Sequence, residues 1–165
     1  MTDQPYRRNV GIALFNPAGG VLIAKRFKDD GPEIILPDYE WQMPQGGIDP
    51  HEDPRPAALR ELYEETGVTS VEYLGETPHW LSYDFPPYDG PPHRLAVFRG
   101  QKQKWFAFRF LGHEREIVVA DTRNEQEPEF DEWRWERLER VPELVVPFRR
   151  EVYATVAREF ARFAG

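Results

Sequence analysis

The stretch Gly46-Gly47-Ile48-Asp49-Pro50-His51-Glu52-Asp53-Pro54-Arg55-Pro56-Ala57-Ala58-Leu59-Arg60-Glu61-Leu62-Tyr63-Glu64-Glu65-Thr66-Gly67-Val68 decides how the rest of the chain is read. Its second half predicts a helix over residues 54–66. Ala58, Leu59 and Leu62 fall on one arc of a 3.6-residue period, and Gly67 follows as a left-handed C-terminal cap. With Glu61 set at zero, Glu64 falls about 300° and Glu65 about 40° round the helix, so three carboxylates share an arc about 100° wide, apart from the apolar one. Like charges at this spacing cost about 0.2–0.5 kcal/mol per pair when exposed and more where water is excluded, and Arg60 is the nearest counter-charge. A solvated acidic face is the ordinary reading of three such residues. The alternative is a bound cation. Oxygen ligands without Cys or paired His favour Mg²⁺ or Mn²⁺ over Zn²⁺, and Mg²⁺, which keeps waters and shares substrate phosphates, points to phosphoryl or diphosphate chemistry.

The 165 residues suit one domain, residues 1–165. The absence of Cys excludes disulfides, thiolate metal sites and Cys nucleophiles. With 21 Lys and Arg against 29 Asp and Glu, a net charge of −8 argues against a protein that blankets double-stranded DNA or any long nucleic acid, though not against one that takes a nucleic-acid end. Residues 1–8 are polar and carry Asp3 and Pro5, so neither a signal peptide nor a membrane anchor is expected there, and no 18 apolar residues run together. The expectation is a cytoplasmic protein without a membrane partner; the oligomeric state is left open, with a monomer compatible.

Outward from the central stretch, residues 9–15 and 21–26 predict a hairpin around Asn16-Pro17-Ala18-Gly19-Gly20. Residues 28–37 read as an exposed loop and 41–43 as a short strand. Further strands are expected at 71–74, 80–84, 104–111 and 132–137, with a proline-rich loop at 85–93. Phe106, Phe108 and Phe110 fall on one face of their strand, and Trp133 and Trp135 read as same-face packing residues. Residues 148–163 predict an amphipathic helix with Val152, Val156 and Phe160 inward, and with Arg149, Arg150 and Arg158 among the charges of its polar face. His51, His79, His93 and His113 share no ligand spacing.

The central stretch matches at every defined position the pattern Gly, five residues, Glu, seven residues, Arg-Glu, apolar, any, Glu-Glu, any, Gly, apolar, through Gly46, Glu52, Arg60, Glu61, Leu62, Glu64, Glu65, Gly67 and Val68. It resembles the signature of the Nudix hydrolases. The resemblance implies an α+β class and the Nudix fold, a mixed β-sheet sandwiched between helices (α/β/α). It also implies hydrolysis of a nucleoside diphosphate linked to another group, with Mg²⁺, or Mn²⁺ in its place, and more than one ion. By resemblance Glu64 and Glu65 are metal ligands, Glu61 is a further ligand or the general base, and Arg60 orients these carboxylates. Glu52 holds loop to helix, and the carbonyl of Gln45 or Gly46 also meets metal. His51 stands where close relatives carry Gly, which bears on loop conformation alone.

The likeness continues through Tyr6-Arg7, Asn9-Val10-Gly11-Ile12, Trp41-Gln42-Met43-Pro44-Gln45, Gly100-Gln101-Lys102-Gln103-Lys104-Trp105-Phe106, Pro128-Glu129-Phe130-Asp131, Trp133-Arg134-Trp135 and Phe148-Arg149-Arg150-Glu151-Val152-Tyr153. These segments resemble the bacterial branch of the family that acts on RNA 5′ ends and dinucleoside polyphosphates; residues 28–37 and 85–93 depart from it. By that resemblance Glu129 is an additional metal ligand, against a bland reading as a solvated acid. Arg7, Lys104 and Phe148 are candidates for binding phosphate or stacking a base, with core packing the ordinary role for Phe148. The implied activity is removal of pyrophosphate from 5′-triphosphate RNA, or phosphate from diphosphate RNA, and so promotion of mRNA decay. A diadenosine polyphosphate hydrolase is the rival, and a Nudix module that binds nucleotide or RNA without turnover is the third reading.

Overall fold

The computed structural model of the chain describes residues 4–120 and 128–165. Eight strands form a mixed sheet: β1 (Tyr6–Phe15), β2 (Val21–Arg26), β3 (Trp41–Gln42), β4 (Gln45–Gly47), β5 (Val71–Glu76), β6 (Leu81–Asp84), β7 (Gly100–Phe110) and β8 (Phe130–Glu136). The central order is β3-β2-β1-β7-β5, with β4 also on β1, β6 on β7 and β8 on β2. β1 and β7 run parallel from Tyr6↔Gly100 to Phe15↔Arg109, while β1 meets β2 and β4 antiparallel. Among the described residues three α-helices accompany the sheet: α1 (Pro54–Thr66), the short α2 (Val141–Leu144) and α3 (Arg150–Phe160).

Alternation along the two central strands splits the core in two. Val10, Ile12, Leu14, Phe106, Phe108 and Phe110 pack towards Ala57, Ala58 and Leu62 of α1. On the other side Ala13, Phe15, Trp105 and Ala107 meet Val152, Tyr153, Val156 and Phe160 of α3. The sheet is therefore sandwiched between helices, as the family resemblance implies. The expected inward positions of α3 are buried, and Trp133 and Trp135 contact each other edge to face at 5.6 Å while packing on the α1 side.

Several expectations need correction. Leu59 is 40% exposed and lies off the buried face of α1, because that face is set by Ala58, Leu62 and Thr66 at four-residue steps. The expected exposed loop at 28–37 contains buried Pro32 and Glu33, and Arg149, assigned to a polar helix face, is buried as Glu33's partner. The predicted helix over 148–163 begins instead with a 3₁₀ turn at Pro147–Arg149, and α3 proper starts at Arg150. β4 had no sequence signal beyond its two glycines; it forms because the Gln45–Gly47 backbone pairs with Gly11, Val10 and Asn9. No described helix is long and apolar enough to cross a membrane.

Candidate active site

Helix α1 opens with Pro54 at its first position and ends at Gly67, whose φ of 75° is left-handed and whose N–H bonds the Tyr63 carbonyl at 2.8 Å. Both ends of the acidic stretch are thereby fixed. The loop before it turns at His51, φ 68°, a left-handed conformation that glycine adopts more readily, which places the departure from Gly where it bears on the backbone. Glu52 closes that loop. Its Oε1 accepts from the Asp49 N–H at 3.0 Å, and its two oxygens accept from Arg60 Nε at 2.9 Å and Nη2 at 2.8 Å. The remaining reach of Arg60 goes to Glu61 at 2.8 Å, Glu64 at 3.2 Å and the Gly47 carbonyl at 2.8 Å. One guanidinium thus sets the aim of two helix carboxylates and binds the β4 backbone to α1.

Glu61, Glu64, Glu65 and Glu129 line one cavity of about 400 Å³, together with Gly46 and Arg7. At two points of its wall a side chain in place of glycine would push a site group aside. A Cβ on Gly46 would stand 2.0 Å from the Glu61 carboxyl carbon, and one on Gly47 would stand 2.1 Å from Arg7 Nη2. Burial pushes the Glu61 carboxyl up to about 7, Arg60 partly opposing and Glu64 and Glu129 adding repulsion. Burial raises Glu65 well above the carboxylate range, with Glu129 and Glu61 pushing the same way. Glu129 is also raised, first by burial. Glu129 itself is an exposed residue that lines the cavity.

This donor set fits a hard divalent cation. Glu65 Oε2 is buried without a hydrogen-bond partner among the described residues, which is costly unless something positive meets it. Among the described residues no three acidic or imidazole groups converge closely enough to hold a metal ion by themselves. Mg²⁺ does not need such a cage, since it takes one or two carboxylates and completes its octahedron with water and phosphate oxygens. Glu61, Glu64, Glu65 and Glu129 are the residues that would hold it.

The floor of the cavity is a polar layer. Gln103 donates to Asn9 at 2.9 Å and Gln45 at 3.1 Å, and receives the Trp105 indole N–H at 3.0 Å, joining β1, β4 and β7. Beside it Glu33 pairs with Arg149 and accepts from Tyr83 and from Gln101 at 3.2 Å. Burial alone would raise Glu33, but Arg149 and these hydrogen bonds more than offset it and hold the carboxyl below its ordinary range. Arg26 closes the wall, its Nη2 donating to the Glu33 carbonyl at 2.7 Å.

Of the residues singled out in the sequence, Gly46, Arg60, Glu61, Glu64, Glu65, Glu129 and Arg7 are brought together at this cavity. Lys104 is not. Its Nζ donates to the Thr77 carbonyl at 2.7 Å and lies 3.7 Å from Glu76, and its strand neighbour Val10 faces α1. Phe148 is not among the cavity's lining residues and packs on Tyr83 with ring centroids 5.8 Å apart. Sequence reasoning missed Arg26, Glu33, Arg94, Gln101 and the buried role of Arg149. Polar residues inside strands, such as Asn9, Gln101 and Gln103, were the signal that could have flagged the floor.

A NUDIX domain model matches residues 5–156. An RNA pyrophosphohydrolase of Acidiphilium cryptum is 55% identical over 163 residues, covering 99% of this chain and 94% of the relative. One of Azorhizobium caulinodans is 52% identical over 165 residues, covering 99% and 97%. The fold is similar to that of a Caenorhabditis elegans (C. elegans) Ap4A hydrolase in a binary complex, with a TM-score of 0.64 at 17% identity over 95% of this chain and 96% of that one. The chain belongs to the Nudix family of hydrolases. Its curated relatives at about half identity carry the name RNA pyrophosphohydrolase.

Proposed function

We propose that this protein is a Mg²⁺-dependent RNA pyrophosphohydrolase of the bacterial cytoplasm, one domain over residues 1–165, which removes pyrophosphate from 5′-triphosphate RNA, or phosphate from 5′-diphosphate RNA, and so promotes mRNA decay. The observation that carries this reading is the near full-length identity to relatives of that name, with the four glutamates of the family's chemistry gathered at one cavity. Glu61, Glu64, Glu65 and Glu129 would hold more than one ion, with the Gly46 carbonyl as a further oxygen. Bound Mg²⁺ supplies charge neutralisation of the polyphosphate and acidification of the attacking water, with Mn²⁺ as a substitute. Arg60 keeps Glu61 and Glu64 in one orientation throughout. Arg7, lying over Gly47, presents its guanidinium to the phosphates.

A surface of net charge −8 repels RNA, so binding is confined to the one concave place where ions and arginines reverse the local potential. Chain ends are therefore favoured over chain interiors. A side-by-side assay of purified protein with Mg²⁺ on 5′-triphosphate RNA and diadenosine tetraphosphate tests this. Preference for RNA, with 5′-monophosphate RNA and pyrophosphate as products, is expected; preference for the dinucleotide would assign the chain to that activity instead.

A further inference from the structure

The catalytic cavity has a side lobe of about 130 Å³, and half of the residues around that lobe, Lys28, Asp29 and Asp30, come from the segment 28–37 that departs from the family pattern. Arg26, Asp30, Arg94 and Glu129 line both spaces, so the lobe opens directly off the carboxylate cluster. With Lys28 the lobe is lined by three cations, Arg26, Lys28 and Arg94, set among three carboxylates, Asp29, Asp30 and Glu129. Arg94 stands in the turn Arg94–Val97 with its side chain largely exposed, its Nη2 2.9 Å from Asp30 Oδ2. The other oxygen of Asp30 meets His93 Nε2 at 2.9 Å, and Gly31, with φ 58°, turns directly against that ring. Asp30 therefore clips the segment after β2 to the segment before β7 across the cavity mouth.

The electrostatics agree that Arg94 acts inward. After burial, repulsion from Arg94 is the next cause lowering Arg7, and Arg94 is among the charges that moderate the rise of Glu129. A largely exposed guanidinium held to a partly exposed aspartate by a hydrogen bond can exchange that partner for a phosphate, which carries more charge and can accept from both guanidinium nitrogens at once.

We propose that this lobe is an anion subsite that receives the terminal phosphates of the substrate, and the pyrophosphate they become, with Arg94 as its moving cation and Asp30 as the resting partner that Arg94 leaves. The proposal builds on the function given above, since it names where the leaving end of a 5′-triphosphate lies. It gives Asp30 and Arg94 opposite signs. Removing Arg94 weakens phosphate binding; removing the charge of Asp30 strengthens it, but only while Arg94 is present.

Inorganic pyrophosphate in Mg²⁺ buffer, titrated calorimetrically into the full chain, is the probe, because it reads the lobe without turnover. Arg94→Gln is expected to weaken binding about 10-fold, Arg94→Lys to recover part of that loss, and Asp30→Asn to tighten binding several-fold in the wild-type background and not in Arg94→Gln. Melting temperatures should stay within a degree or two, and with triphosphate RNA the Arg94→Gln loss should fall on KM rather than kcat. Unchanged pyrophosphate affinity in Arg94→Gln, no recovery by Lys, or an Asp30→Asn effect that persists without Arg94 would overturn the subsite. Failure of the wild type to hydrolyse RNA while these pyrophosphate results hold would instead refute the function and leave the subsite standing.

Discussion

The carboxylate of Glu33 and the guanidinium of Arg149, 116 positions apart in sequence, form an ion pair with side chains only 5% and 3% exposed, joining the segment after β2 to the turn that starts α3. Arg149 also bonds Gln42 of β3, and Tyr83 of β6 completes the partners of Glu33. Four separate elements are therefore fastened beneath the catalytic cavity by one buried charge pair. Breaking such a pair from one side costs about 3–5 kcal/mol, because the surviving charge is left without a counter-ion. Arg149→Met is expected to lower unfolding stability by that amount in urea titration. Glu33→Leu combined with Arg149→Met should cost less than the sum of the single changes. Strict additivity would contradict the pairing.

Metal-free protein should lose stability as pH rises. Glu61 is pushed up to about 7 in the folded chain against an ordinary 4.5, and Glu65 is likewise raised well above its ordinary range. Between those values the folded state holds more protons than the unfolded one, so stability is full below about pH 4.5 and falls as pH passes through about 7. Glu33 and Glu52 are depressed, so their contribution is lost only on acidification below about 4.5, outside this window. Melting in EDTA at pH 5 and pH 8 checks the sign, and Mg²⁺ should raise the melting temperature more at pH 8. A metal-free melting temperature that climbs from pH 5 to pH 8 would contradict it.

Phe148 is expected to act through packing. Phe148→Ala removes the ring that lies on Tyr83, and a stability loss of about 3 kcal/mol is expected, at the lower end for a truncated Phe because the residue is only partly buried. Triphosphate RNA and diadenosine tetraphosphate should be affected alike. A stable variant whose KM rises for RNA alone would return Phe148 to the role of a base-stacking platform.

Arg60 is expected to matter by shape as much as by charge. Arg60→Lys keeps the charge but cannot span Glu52, Glu61, Glu64 and the Gly47 carbonyl together. Its kcat should drop by about 10-fold or more, with a smaller change in KM, since the carboxylates lose their common aim. Steady-state kinetics at saturating Mg²⁺ measures this, and a kcat equal to wild type would contradict the positioning role.

The sequence made the catalytic helix legible because its spacing, its terminal Gly67 and its three converging glutamates are all local features, and the strands of alternating Phe106, Phe108 and Phe110 were legible for the same reason. What escaped was everything decided by partners far along the chain. Glu33 looked exposed beside Asp29, Asp30 and Gly31, and Arg149 looked like one of several helix-face arginines, because each is buried against partners far along the chain, the other foremost. Lys104 alternates with Phe106 and shares its face, which on this strand turns towards α1 and away from the cavity. The lobe beside Arg94 lay in segments where no periodicity operates.

The central claim is that the glutamate cluster, loaded with divalent metal, hydrolyses the 5′ anhydride of RNA, and single-turnover release of pyrophosphate from 5′-triphosphate RNA at saturating Mg²⁺ tests it most directly. Wild type should leave 5′-monophosphate RNA. Glu64→Gln and Glu65→Gln should each release pyrophosphate slower by about 100-fold or more, while melting at the wild-type temperature or above it in metal-free buffer, since each removes one of several crowded like charges. A Gln variant that keeps within a few-fold of the wild-type rate, or a wild type that leaves triphosphate RNA intact, would contradict the account.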